Sequence, residues 1–253
     1  MHMRVIGAAA AWLAAVPALA QSPKDVTGPF TLTPKIVLCT DLPVPEIPVP
    51  RLVVKGAHDP LPRLATATGG QLVINRLPDD GLAAGQKYVT SRLNADPRKF
   101  PPPGEGFGGL RVTGIVTIKA VDEINAIADV DFACETIEAG DYLDRYTETS
   151  LPSSATSIDV PPDFSDRANL LFGADNRVSA GVGDVTSIDR GTLHGVVQGA
   201  RYAIYRDKRN DLPLVYLGEA VVLVTSELTS KVMVTKSLDA IQLGDVFVPR
   251  RAP

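Results

Sequence analysis

Gly114–Leu143 reads GIVTIKAVDEINAIADVDFACETIEAGDYL, and Gly218–Phe247 reads GEAVVLVTSELTSKVMVTKSLDAIQLGDVF. Gly114 and Gly218, Ile137 and Ile241, and the closing pairs Gly140-Asp141 and Gly244-Asp245 all fall at one constant spacing. Self-similarity at a fixed spacing is the mark of a duplicated structural unit. Inside the repeat the periodicity is that of strands. Ala126–Cys134 sets Ala128, Val130, Phe132 and Cys134 against Asp129 and Asp131, and Val221–Val224 and Lys231–Lys236 are short β-branched runs. Breakers separate these runs often enough to suit small barrels or sandwiches, and no sustained helical apolar stripe is present. The fold class expected is all-β: two tandem small β-barrel or sandwich domains from an internal duplication, following a cleaved signal peptide.

Working outward, Val73–Tyr88 (VINRLPDDGLAAGQKY) lies against Ser187–Tyr202 (SIDRGTLHGVVQGARY), aligning Arg76 with Arg190, Gly81 with Gly195 and Gly85 with Gly199. Earlier still, Leu52–Ala57 (LVVKGA) resembles Asn169–Ala174 (NLLFGA). The copies are therefore placed at 51–145 and 167–250. The spacing is ten residues longer upstream than downstream, so copy one carries an insertion, placed in the Pro/Gly-rich segment 94–109. Three prolines followed by glycines interrupt a ladder, which predicts a protruding loop with Phe100 and Phe107 as exposed candidates for contacting a partner. The four paired glycines, with Gly140-Asp141 and Gly244-Asp245, are read as turns the fold requires: glycine for a positive φ, aspartate for bonding its own backbone.

The remaining segments set compartment and connections. Residues 1–20 have a basic start at Arg4, an apolar stretch from Val5 to Leu19 and a closing Ala18-Leu19-Ala20, the layout of a secretory signal peptide. This places the chain in the periplasm or cell envelope of a bacterium, peripheral to the membrane rather than integral. Segment 21–50 is expected to hold an added strand at Phe30–Cys39 and then a prolyl strap, Leu42–Pro50, of polyproline-like geometry. Segment 146–166, rich in Ser, Thr and Pro, reads as a linker. The chain has a net charge of −4, and loss of the leader removes only Arg4, which argues against a nucleic-acid partner. In an oxidising compartment Cys39 and Cys134 either pair, contributing on the order of 4 kcal/mol by closing a long loop, or remain two buried thiols; the sequence leaves both open.

The residues that carry chemistry are few. His58 and His194 sit in turns without the partners a metal site needs, and the run Asp122, Glu123, Asp129, Asp131, Glu135, Glu138 and Asp141 lacks calcium-loop spacing. Gly181-Val182-Gly183 precedes a strand rather than opening a helix, and no nucleophile elbow is present. No catalytic residue, metal or cofactor is expected. The basic-aromatic run Arg201–Arg209 (RYAIYRDKR) is the strongest surface signal. Alternation puts Tyr202, Ile204 and Arg206 on one face and Arg201, Ala203 and Tyr205 on the other. Tyr202, Tyr205 and Arg206 are thus candidates for binding a partner, the alternative being a hairpin whose tyrosine packs inward.

Taken in order, Ile188-Asp189-Arg190-Gly191, Gly195, Gly199, Tyr205-Arg206, Gly218-Glu219, Thr235, Asp239, Ile241 and Gly244-Asp245 form a pattern. It resembles the C-terminal domain of the flagellar H-ring protein T, and equally a β-domain that accompanies LysM modules in bacterial envelope proteins. Copy two carries the resemblance well and copy one more loosely; the chain has no LysM unit. The resemblance implies a small β-barrel module with a role in assembly or binding and no catalysis. The expected function is a structural or adaptor role toward another envelope protein, the alternative being a cell-wall glycan as ligand. The sequence does not determine an oligomeric state.

Overall fold

The computed structural model describes residues 37–40, 42–44, 51–61, 63–94, 108–148, 150–152, 161–173, 179–208 and 212–250. The leader 1–20, Phe100 and Phe107 lie outside the described residues. Strand formation follows the alternation. In Gln71–Asn75 only Leu72 and Ile74 are fully buried, and in Asn125–Ala133 it is Ala126, Ala128 and Val130, so each strand turns every second side chain inward.

Counting strands along the chain, β1 is Leu42–Val44, β2 Val54–Ala57, β3 Ala65–Thr66, β4 Gln71–Asn75, β5 Lys87–Asn94, β6 Gly108–Val121, β7 Asn125–Ala133, β8 Ile137–Glu138 and β9 Tyr142–Arg145. They form a curled antiparallel sheet in the order β2-β4-β7-β6-β5-β9, with β1 paired to the start of β6. Its two edges meet: Val53 bridges Tyr142, and the Val54 N–H donates to the Asp141 carbonyl at 2.7 Å. The sheet wraps a core of Leu52, Val54, Leu72, Ile74, Tyr88, Val116, Ile118, Val130 and Ile137, with others.

The second unit consists of β10 Ala168–Gly173, β11 Ser179–Ala180, β12 Val185–Ile188, β13 Arg201–Arg206, β14 Val215–Thr225, β15 Ser230–Ser237, β16 Ile241–Gln242 and β17 Val246–Arg250. Six of these close a barrel in the order β10-β12-β15-β14-β13-β17 around Ile188, Tyr202, Ile204, Val222, Val232, Val234 and Phe247. Each unit also has a two-stranded accessory ladder, β3 with β8 and β11 with β16. Strand for strand, the paths through the two sheets are the same.

So are their irregularities. A bulge breaks the register at Thr90/Ser91 and at Ile204/Tyr205, at Ile115/Val116 and at Glu219/Ala220, and at Ile118/Ala120 and at Val222/Val224. Gly114 and Gly218 have the same steric reason to be glycine. A Cβ on Gly114 would lie 2.5 Å from the Phe132 carbonyl oxygen, and one on Gly218 would overlap that of Lys236.

Four sequence expectations change. The first strands of the units align one residue differently, since Val54 pairs with Ile74 as Leu170 pairs with Ile188 and the matching bulge after each keeps that offset; the shared glycine drew the sequence alignment off by one. The expected loop 94–109 is shorter, because Asn94 pairs with Gly109, and Gly108 and Gly109 pair with Val44 and Pro43. With β5 on one side and β1 on the other, the glycine pair is held in a three-stranded ladder. The expected strand ending at Cys39 gives way at Val37 and Leu38 to a helical turn. Leu238, which the repeat spacing sets against Cys134 and which reads there as an apolar site, is 50% exposed.

Cys39 and Cys134 form a disulfide across 95 residues of chain. Among the described residues no helix is long and apolar enough to cross a membrane.

Candidate functional site

The basic-aromatic run forms β13, and the barrel divides its residues by simple alternation. Tyr202 and Ile204 point inward, with Tyr202 only 1% exposed, so Tyr202 is a core residue and leaves the proposed partner surface. The bulge after Ile204 places its extra residue, Leu217, on β14, so Tyr205 keeps the outward direction that alternation gives it. Tyr205 sits beside its cross-strand partner Tyr216 on β14 with ring centroids 5.7 Å apart, edge to face. Phe164, from the segment leading into the second unit, lies 5.1 Å from Tyr205 on its other side and is 44% exposed. The three rings make a continuous aromatic strip on the outside of the barrel.

A polar rim adjoins the strip. The Tyr216 hydroxyl donates to Glu219 Oε1 at 3.3 Å, Arg250 Nη2 donates to the same oxygen at 3.0 Å, and Arg201 Nη2 pairs with Glu219 Oε2. Burial pushes the Tyr216 phenol up to about 12, with the Glu219 carboxylate adding to the shift. This phenol therefore stays protonated and remains a donor throughout the neutral range.

Arg206 is committed inward. Its Nε and Nη2 donate to the two oxygens of Asp245 at 2.8 and 2.9 Å, its Nη2 also reaches the Ala240 carbonyl at 2.6 Å, and Nη1 reaches Asp239 at 2.8 Å. The hydrogen bonds that the guanidinium donates to Asp245, with the one to Asp239, hold it above its usual range. Asp245 also accepts the Gln242 N–H at 2.7 Å. The same cradle stands in the first unit: Arg92 grips Asp141 at 2.7 and 2.9 Å, reaches the Thr136 carbonyl at 2.9 Å, and Asp141 accepts the Glu138 N–H at 3.0 Å. Gly140 and Gly244, just before the two aspartates, both have φ 95°. Sequence reading placed the aspartates in turns but missed their arginine partners. The signal available was that Arg92 and Arg206 share the spacing of the upstream glycines.

The aromatic strip, in contrast, belongs among the described residues to the second unit alone. The register position of the Tyr205–Tyr216 pair is filled in the first unit by Ser91 and Val112. The turns at Gly81, Gly85, Gly195 and Gly199 take positive φ in matched pairs, 68° with 72° and 85° with 82°, and are common to both units.

The remaining ionisable residues are dispersed. His194 Nδ1 accepts the Gly191 N–H at 3.1 Å inside the turn Thr192–His194, and His58 lies 3.0 Å from Gln71. The acidic run of the first unit is divided among separate partners: Asp129 with Gln71 and Lys119, Asp131 with Thr117 and Lys87, and Glu135 and Glu138 with Arg92. No group of three or more His, Cys, Asp or Glu is placed to hold a metal among the described residues. Chemically, the strip provides flat apolar faces edged by hydrogen-bonding groups. No family model matches this chain, and no curated protein matches it as a relative.

Proposed function

We propose that this is an exported, non-catalytic protein of a bacterial cell envelope, in which two β-units derived from one duplicated module serve as an assembly or adaptor element. In this reading the aromatic strip Phe164–Tyr205–Tyr216 is where another envelope protein docks. The single observation that carries it is the asymmetry of two otherwise matching units. The arginine–aspartate cradle, the bulges and the glycine turns recur in both, so they serve the fold, whereas the strip is present in one and its exposed ring is not needed to close a barrel.

Duplication is supported by the identical strand order, the matched bulges and the matched cradles. Export is supported by the layout of residues 1–20 and by a disulfide, which persists in oxidising compartments. Kinship with the C-terminal β-domain of the flagellar H-ring protein T, or with the β-domain associated with LysM modules, is part of the proposal and rests on the sequence pattern of the second unit. A cell-wall glycan is the second reading, favoured by an aromatic face beside the paired Glu219 and Arg250. Crosslinking in intact envelopes, compared between wild type and Tyr205→Ala, tests docking of a protein; sedimentation with purified peptidoglycan tests the glycan. Unchanged crosslinking and unchanged sedimentation in Tyr205→Ala would remove the strip from both readings.

A further inference from the structure

The second barrel is apolar on both sides of its wall, and the first unit is not. Val221 and Leu223 on β14, Met233 on β15 and Val185 on β12 face outward, away from the barrel core, yet all are buried. The corresponding outward positions of the first unit are Thr117, Lys119, Asp129 and Gln71, joined by hydrogen bonds and ion pairs of a wet surface. The outer wall of the second barrel is dry because Val37, from a short segment laid on it, and Leu151 cover it. Val37 packs into the apolar patch, and the buried Lys231 ammonium donates to the carbonyl oxygens of Val37 and Thr40, both at 2.8 Å. Two residues beyond Val37, Cys39 is bonded to Cys134 of the first unit.

We propose that residues 37–40 are a redox-sensitive clasp: a segment tied to the first unit by the Cys39–Cys134 disulfide and closed over the outer wall of the second. The bond keeps the clasp at high local concentration over its seat, since tethering makes seating an intramolecular event. An external dithiol opens it. The dithiol delivers two electrons and two protons, the Sγ–Sγ bond breaks to two thiols, and the dithiol becomes a disulfide. Seating is then left to Val37, the Lys231 hydrogen bonds and the neighbouring Leu42–Val44 ladder, without the covalent tie, and the segment lifts from its seat, uncovering the apolar wall and the Lys231 amine. The proposal is independent of the aromatic strip and of any partner.

The test is amine acetylation of the folded, full-length exported protein, read by mass spectrometry at Lys231, with and without dithiothreitol. Lys119, half exposed in both states, serves as the reference. The expected result is at least a tenfold rise in Lys231 labelling on reduction, with Lys119 unchanged and the far-ultraviolet circular dichroism of the sheets retained. The Cys39→Ser/Cys134→Ser variant is expected to show the high labelling without reductant, and Val37→Asp to show it with the disulfide intact. Continued protection of Lys231 in reduced, folded protein overturns the proposal. So does loss of the sheet signal on reduction, because the bond would then hold the fold rather than the clasp.

Discussion

Asp245→Ala should cost the second unit a large part of its stability. The Asp245 carboxylate is 3% exposed and accepts two hydrogen bonds from Arg206 and one from the Gln242 N–H. Truncating one partner of a buried ion pair costs about 3–5 kcal/mol, because the other charge is left buried. Arg206 remains 24% exposed and keeps its bond to the Ala240 carbonyl, so its charge is partly rehydrated and the low end, about 3 kcal/mol, applies. The orphaned Gln242 N–H adds roughly 1 kcal/mol. With a urea slope of about 1.5 kcal/mol per molar, a loss of about 3–4 kcal/mol lowers the midpoint by roughly 2 M. Urea titrations of wild type and variant, followed by far-ultraviolet circular dichroism, measure this. Asp141→Ala should do the same to the first unit, whereas Asp239→Ala, which removes an exposed partner of the same arginine, should leave the midpoint almost unmoved. A midpoint for Asp245→Ala within about 0.3 M of wild type would refute the reasoning, since the cradle would then be incidental to the fold.

Gly218→Ala forces a Cβ into the Lys236 carbonyl and should destabilise by about 2 kcal/mol or more, with Gly114→Ala behaving alike; thermal melts of both variants check it. Cys39→Ser should lower stability by up to about 4.7 kcal/mol relative to the oxidised protein, from the entropy of the loop it closes, and reduction of the wild type should give the same loss. Burial alone would raise the Asp80 carboxyl, but the N–H groups of Leu82 and Leu77 and the Arg76 guanidinium outweigh it and hold it below its ordinary 3.8. A depressed carboxyl favours the fold when ionised. Its contribution is therefore complete above 3.8 and disappears as pH falls through the lower folded value; Asp80→Asn should flatten the acid limb of the stability curve.

The repeat, the strands and the Gly-Asp turns were legible because each depends on spacing within a few residues. The arginine–aspartate cradles were not, because Arg206 and Asp245 are brought together by the pairing of β13 with β17, and a strand reading does not say which strands are neighbours. Sequence reading assigns Tyr202 to the partner surface because alternation separates two faces without saying which one is turned inward. The run Val221–Val224 reads in sequence only as a short β-branched strand; it is buried on both faces, and nothing near it in sequence says that its outer cover includes Val37.

The central claim is that the aromatic strip of the second unit is a docking surface for another envelope protein. Its most direct test is a photoreactive residue at Phe164 of the full-length protein, irradiated in intact cells that produce it. The account predicts a discrete protein adduct that Tyr205→Ala reduces at least tenfold while secretion and fold are retained. Absence of a protein adduct, or one indifferent to Tyr205, would contradict it.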